Sequence, residues 1–349
     1  MIKVAALTSG RDTPSSRFRV RQHIHALFSR GVKVKEFVPL IEKYRDLPRL
    51  PGGFRFAERI LYAGLNVAKL AVRVPAIVNS RRYDVTWLER EIFSGRATME
   101  GLLKKPIALD VDDAIWLSGP HAARSAETIA RQASVVLAGN RYIGEWFSQF
   151  CSDVRLVPTA IDPQRFRQAD RPSFERRFAI GWTGLSSSYG LLYDIEKPLE
   201  QFLSASDAQL VVIAEKPPAF RTIAPNRIRF IRWSPDVEAD ALHQFDVGIM
   251  PLPDNEWSRG KCSLKMLQYM AVGLPVVVSP VGLNQEILEM GTIGRAARTA
   301  DDWVSALREL QRDRDLRIRL GCEGRRIVEQ HFSVPVIADK LAAVFRSIA

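Results

Sequence analysis

The sequence predicts a doubly wound α/β protein in two Rossmann-like halves, and three observations carry that prediction. Short apolar runs alternate with amphipathic stretches, the runs fall into two series, and a proline-flanked polar segment separates the series. The first series is Lys3–Thr8, Val32–Val38, Asp84–Leu88, Ile107–Val111 and Val135–Ala138. The second is Phe178–Trp182, Leu210–Ala214, Ile228–Ile231, Val247–Pro251, Val276–Ser279 and Ile293–Ala296. Several of these, such as Val276–Val278, are continuous aliphatic runs of the kind that parallel sheets bury on both faces. Between the series, Pro158–Pro172 encloses TAIDPQRFRQADR, a linker composition that predicts domains over 1–165 and 172–334. A chain of 349 residues is long for one core and comfortable for two.

Composition narrows the classes. No apolar run reaches the ~18 residues that span a bilayer, and Met1-Ile-Lys leads directly into a strand rather than a signal peptide. Cys151, Cys262 and Cys322 are odd in number and lack a C-x-x-C, which disfavours structural zinc and a disulfide framework; a cytoplasmic location is expected. Neither opening strand is followed by G-x-G-x-x-G, and no Walker A lysine occurs, so dehydrogenases and P-loop ATPases are disfavoured. Charge is uneven: residues 1–105 carry 21 Lys and Arg against 9 Asp and Glu, a net of +12, and the remainder nearly balances, for a total of +11. That asymmetry suits an anionic partner such as a phospholipid surface or a phosphorylated acceptor, although a merely solvated basic surface explains it equally well. With no aromatic and basic RNA-recognition motif, nucleic acid is not expected.

The densest stretch is RGKCSLKMLQYMAVGLPVVVSP, from Arg259 to Pro280. Leu264, Leu267 and Ala271 share one helical face, Gly273 stands where a left-handed residue ends the helix, and Pro275 prevents its continuation into Val276–Val278. Lys265, Gln268 and Val272 share a second face. Free amides at the helix start, together with Arg259, Lys261 and Lys265, make an anion cradle, weighed against a solvated basic turn. Ligands of doubly wound sheets bind beyond the carboxyl ends of the strands, which predicts Thr8–Arg11, Asp110–Asp113, Thr183–Ser188, Trp233–Asp236 and Asp254–Lys265 around one inter-domain cleft.

With these residues in view the chain resembles the GT-B-fold glycosyltransferases, specifically the retaining family 4 (glycosyl transferases group 1). The likeness covers nearly the whole length: the small-residue loop after the first strand, NRYIGEWFSQFCSDVRLVPTAIDPQRF, IGWTG, DVGIMPL, KMLQYMAVGLPVVVSPVGLNQEI and HFSVPVIADKLAAVF. The resemblance implies that residues 335–349 pack back on the first domain and that the second binds a nucleotide diphosphate sugar. It implies an E-x7-E pair, first glutamate on the donor sugar and second on the ribose, but Gly260 and Gln268 stand there. Gln268 can still accept and donate, whereas Gly260 cannot replace a sugar contact, and Asp254 or Glu256 is the substitute. The family's basic pair after the first strand of the second domain is also missing, since WTGLSSSYG offers Gly184, serines and a tyrosine.

The donor site that the resemblance implies is therefore Gly184, Trp233, Arg259, Lys261, Cys262, Ser263, Leu264 and Gln268, with Lys265 and Asp112 catalytic. The amides of Cys262, Ser263 and Leu264 face the diphosphate, Cys262 packs rather than attacks, and Trp233 either stacks on the base or fills the core. In retaining relatives the leaving diphosphate accepts the acceptor's proton, so no protein nucleophile, metal or cofactor is required. Asp112 lies where many relatives have a histidine facing the sugar. A metal-binding Asp110-x-Asp112 pair is the alternative for that stretch.

Acceptor binding is assigned to Gly10, Arg11, Arg17 and Arg21. Ser15 or Ser16 would cap a helix there, placing Arg17 and Arg21 four apart on one face for an acceptor phosphate. Phe54–Val78 is apolar with Arg55, Arg59, Lys69 and Arg73 interspersed, either an interfacial helix or an ordinary core-facing one. The function implied is sugar transfer to a glycan, polysaccharide or lipid-linked acceptor, in the cytoplasm or peripherally at the inner face of an anionic membrane. The alternatives are a non-catalytic nucleotide-sugar or glycan binding protein and an epimerase of the same fold.

Overall fold

A computed structural model describes residues 1–47, 55–168 and 177–349, without the side chains of 55–57. Phe54 and the linker residues Ala169–Pro172 therefore lie outside the described residues. Two compact units form: Met1–Thr159 with Ile337–Ala349, and Ala160–Val336.

In the first unit, β1 (Ile2–Leu7), β2 (Val32–Phe37), β3 (Val85–Glu89), β4 (Ile107–Val111), β5 (Val135–Ala138) and β6 (Val154–Leu156) make one parallel sheet, ordered β2-β1-β3-β4-β5-β6. In the second, β7 (Ala179–Thr183), β8 (Gln209–Ala214), β9 (Ile228–Arg232), β10 (Val247–Met250), β11 (Val276–Val278) and β12 (Gly294–Ala296) are parallel in the order β12-β11-β10-β7-β8-β9. The chain winds outward from β7 through β9, then returns to β10 on the other side. Such a reversal, between β7 and β10 here and between β1 and β3 in the first unit, opens a crevice at the strands' carboxyl ends.

Central strands such as β5, β8 and β11 form because their side chains are apolar on both faces. Ile180, Trp182, Leu210 and Val212 share one core with Leu199, Phe202, Trp303 and Leu307 from helices Glu196–Ser204 and Ala300–Arg312. Burial of each such large side chain contributes roughly 1.5–3 kcal/mol. The last helix, Val334–Ile348, closes on the first sheet, its Phe345 ring 5.1 Å from that of Trp87. β6 has no counterpart among the runs read from the sequence. It is a three-residue edge strand, none of its residues buried, so it lacks the apolar signature of its neighbours.

Candidate functional site

The helix Leu264–Ala271 is pinned to the second sheet through one aromatic ring. A Cβ at position 248 would lie 2.3 Å from the Tyr269 ring, so glycine in β10 makes room for it. The Tyr269 hydroxyl then accepts from the Thr183 amide at 3.0 Å and donates to the Ile249 carbonyl at 3.3 Å. Burial pushes this phenol above its ordinary range, so it stays a neutral tether between β7 and β10.

That tether sets Lys265 at the end of β7, on the reversal point of the sheet. A Cβ on Gly184 would fall 2.6 Å from Lys265 Cε, so the lysine stem crosses the chain where only glycine fits. Its Nζ lies 5.3 Å from the Trp182 ring centroid. The ammonium is therefore held by packing on two sides. Just before the helix, Ser263 adopts the left-handed conformation at φ 54°, uncommon for a residue with a side chain. Its hydroxyl donates to Asn284 Oδ1 at 2.7 Å instead of capping the helix, and the fully buried Asn284 donates onward to the Ser279 carbonyl at 3.2 Å. The strained turn is thus fixed by a buried polar chain, at the helix end that carries the partial positive charge of the dipole.

Gln268 and Trp233 meet on a residue that the sequence did not single out, Glu238. Gln268 Nε2 donates to Glu238 Oε1 at 3.3 Å, Trp233 Nε1 donates to the same oxygen at 3.4 Å, and Arg165 pairs with Oε2 at 3.0 Å. Gln268 and Glu238 are buried and Trp233 is half-buried, so the tryptophan is not a core residue.

The remaining cations of the cradle are engaged differently. Arg259 pairs with Asp254 at 2.8 Å on an exposed surface, and Lys261 lies 4.5 Å from the Trp257 ring centroid. Of the two residues expected as substitute sugar contacts, Asp254 is bound to Arg259, while Glu256 opens the short helix Glu256–Arg259, capped by Asn255. Cys262 is buried and Leu264 half-buried. In the loop after β7, the Ser186 amide and hydroxyl both donate to Glu215, at 2.9 and 2.6 Å to Oε1. Burial alone would raise the Glu215 pKa, but these bonds outweigh it and lower the value. With an internal carboxylate on that amide, Lys265 is the cation beside Gly184.

In the first unit the arrangement around Arg17 and Arg21 departs from the sequence expectation. Ser15 and Ser16 do not cap a helix: their hydroxyls donate to the buried Glu89 at 2.6 and 2.7 Å, and Ser9 gives its amide and hydroxyl to the same carboxylate. Ser16–Val20 is a π-helical turn, and Arg21 opens the 3-10 turn Arg21–His23 that follows it. Arg17 is buried, its guanidinium 5.2 Å from the Phe18 ring centroid. Arg21 forks onto Glu36 at 2.9 and 2.7 Å and donates to the carbonyls of Gly10 and Arg11. Arg21 thus holds the loop after β1, Arg17 is buried and Arg11 is exposed.

Asp112, beyond β4, pairs with Arg90 at 2.5 Å, and the same guanidinium reaches Asp113 at 2.9 Å. Arg90 has φ 56°, a second left-handed residue at a strand end. Burial opposes its charge, but Asp112, Tyr44 and Asp113 outweigh that and hold its pKa well above the usual value. Asp110 turns to Arg19 at 2.8 Å and Trp87 Nε1 at 3.0 Å. The three carboxylates therefore have guanidinium partners, in two separate clusters.

Between Glu58 and Val72 no described residue is buried, which corrects the core-facing alternative for this segment. It forms helices Arg55–Ala71 and Val74–Ser80, with Ile60, Leu61, Val67, Val74 and Val78 exposed. By length and composition alone Glu58–Ser80 is sufficient to cross a membrane, although charged residues interrupt it and no run within it is continuously apolar over that length. Arg73 does not belong to an exposed basic face: it is buried, donates to the Thr8 carbonyl, and burial lowers its pKa to about 10.

Residues 184–313 match the family described as glycosyl transferases group 1. No curated protein sequence matches the chain. Solved structures resemble it over essentially their whole length. HepE of Anabaena, in complex with UDP-glucose, is 14% identical with a TM-score of 0.72 over 100% of both chains. Sucrose-phosphate synthase of Thermosynechococcus elongatus is 15% identical, with a TM-score of 0.69 over 99% of both. WaaG, a glycosyltransferase involved in lipopolysaccharide biosynthesis, is 13% identical at 0.64, covering 98% of this chain and 99% of its own. The chain thus has the GT-B fold, and Lys265, Glu238 and Gln268 lie inside the part that matches the glycosyl transferases group 1.

Proposed function

We propose that the protein is a retaining glycosyltransferase that moves a sugar from a nucleotide diphosphate sugar to a glycan, polysaccharide or lipid-linked acceptor. The observation that carries this is Lys265, packed across Gly184 at the reversal of the second sheet, beside the start of helix Leu264–Ala271. A leaving diphosphate there meets a fixed cation and backbone N–H donors, which stabilise the charge that builds as the glycosidic bond breaks. The diphosphate itself takes the acceptor's proton on the same face of the sugar, so Lys265 needs no partner base. Asp112, paired with Arg90, accepts from a sugar or acceptor hydroxyl. UDP-glucose bound to HepE, a protein of the same fold, supports the donor class.

The test is a panel of nucleotide sugars screened by thermal shift, followed by donor hydrolysis and transfer with purified protein. Turnover is expected to persist with excess chelator, and the product to keep the donor's anomeric configuration. Binding without any hydrolysis or transfer would instead support a non-catalytic nucleotide-sugar binder, the reading favoured by Gly260 in place of the sugar-contacting glutamate.

For the acceptor side, the exposed apolar face at Ile60, Leu61 and Val67, in the basic first third, suits an anionic bilayer surface. Vesicles with acidic lipid are expected to float the protein at low salt and to release much of it as screening shortens to ~8 Å near physiological ionic strength. Replacing Ile60, Leu61 and Val67 by serine should lower the salt-resistant remainder. Absence of flotation even at low salt would leave a soluble acceptor as the better account.

A further inference from the structure

The Glu238–Gln268 contact decides which way a buried amide faces. Gln268 is 3% exposed, and its Nε2 meets Glu238 Oε1 at 3.3 Å. Rotating the amide by half a turn would set its carbonyl oxygen against a carboxylate oxygen, two acceptors in contact with no proton between them. Glu238 cannot swing away to relieve this, because Trp233 Nε1 holds the same oxygen at 3.4 Å and Arg165 Nη2 holds the other at 3.0 Å. Arg165 is braced in turn by the Pro235 carbonyl at 2.7 Å. The carboxylate is fixed from two sides, and it fixes the amide.

Resting on the nucleotide-sugar reading above, we propose that Glu238 is a positioning residue: it locks Gln268 with its carbonyl oxygen turned away from Glu238, as an acceptor for the ribose hydroxyls of the bound nucleotide. The negative charge of this pair sits on the helix Glu238–Ala241 and the neutral acceptor on the helix Leu264–Ala271. A lone Gln268→Glu change would then place two carboxylates at hydrogen-bonding distance, whereas exchanging the two residue types recreates the donor–acceptor contact in reverse once Trp233, whose N–H would face the new amide's N–H, is replaced by phenylalanine.

The experiment is calorimetry with UDP, ADP and GDP and their 2′,3′-dideoxy counterparts, which differ only in the hydroxyls at issue. Wild type is expected to prefer the ribonucleotide by about tenfold or more, the scale of one well-placed hydrogen bond. Glu238→Gln, which frees the amide to rotate, should bring that preference towards one, and the exchange Glu238→Gln with Gln268→Glu, made together with Trp233→Phe, should recover it. Should these variants fail to fold after losing the hold on Arg165, Glu238→Asp, which keeps a carboxylate for Arg165 while drawing it back from Gln268, takes their place and is expected to lower the same preference. An unaltered preference in Glu238→Gln, or no recovery in the exchange variant, overturns the proposal while the nucleotide reading stands. If none of the three nucleotides binds to wild type, that reading falls and the proposal falls with it.

Discussion

Replacing Lys265 by alanine is expected to weaken nucleoside diphosphate binding by about 1.5–3 kcal/mol, roughly 10- to 150-fold, the range for a charge-assisted hydrogen bond. Turnover should fall further, by about 100- to 1000-fold, because the diphosphate gains charge as it leaves and the cation acts most strongly there. The geometry makes this residue hard to replace from nearby. Arg259 is committed to Asp254, Lys261 lies on Trp257, and the Ser186 amide faces Glu215. Lys265→Met separates charge from packing, since it keeps an apolar stem against Trp182 and Gly184. Calorimetry with UDP and a turnover assay on both variants check the result. Equal affinity and turnover in Lys265→Met and wild type would take the ammonium out of the reaction.

Why Lys265 was legible in the sequence and Glu238 was not comes down to the range of the signals. Lys265 lies within a helix marked by its own spacing and by Gly273, whose φ of 77° is the left-handed stop the sequence implies. Glu238 reaches Gln268 from another helix, thirty positions earlier, and nothing local marks that contact. The same limit explains the serines at 15 and 16. Local physics favours them as caps, but Glu89, more than seventy positions away, offers a buried carboxylate that needs donors and takes both hydroxyls. The hydroxyls are drawn to β3, and Arg17 in the turn that follows is buried against the Phe18 ring instead of standing exposed beside Arg21. The central strands were the easiest part, because a segment buried on both faces states its environment in its own composition, and β6 escaped because Arg155 interrupts its three residues and leaves no apolar run.

The largest expected effect on stability is set by His23, in the first unit. The ring is buried, and its Nδ1 has no hydrogen-bond partner. Burial first, then the charge of Arg19, lower its pKa from 6.5 to about 3, against a backbone hydrogen bond at Phe18. The unfolded chain therefore binds a proton near pH 6.5 that the folded protein refuses until about pH 3. The sign follows: the contribution of neutral His23 is complete above pH 6.5 and is lost as pH falls towards 3, by up to ~1.4 kcal/mol per pH unit. Asp110 works in the opposite sense. Burial, opposed by Arg19, raises its pKa from 3.8 to about 6, so the folded state takes up a proton first, and its contribution is largest at low pH and is lost as pH rises through 6. Between about pH 6 and 4 the two slopes largely cancel in wild type. Removing the histidine should expose the other. Urea unfolding of His23→Gln and His23→Met against wild type, from pH 7.5 to 4, is expected to show the variants gaining about 3 kcal/mol relative to wild type over that interval, whatever their offset at neutral pH. Parallel curves would mean that His23 titrates alike folded and unfolded, and that its burial carries no charge penalty.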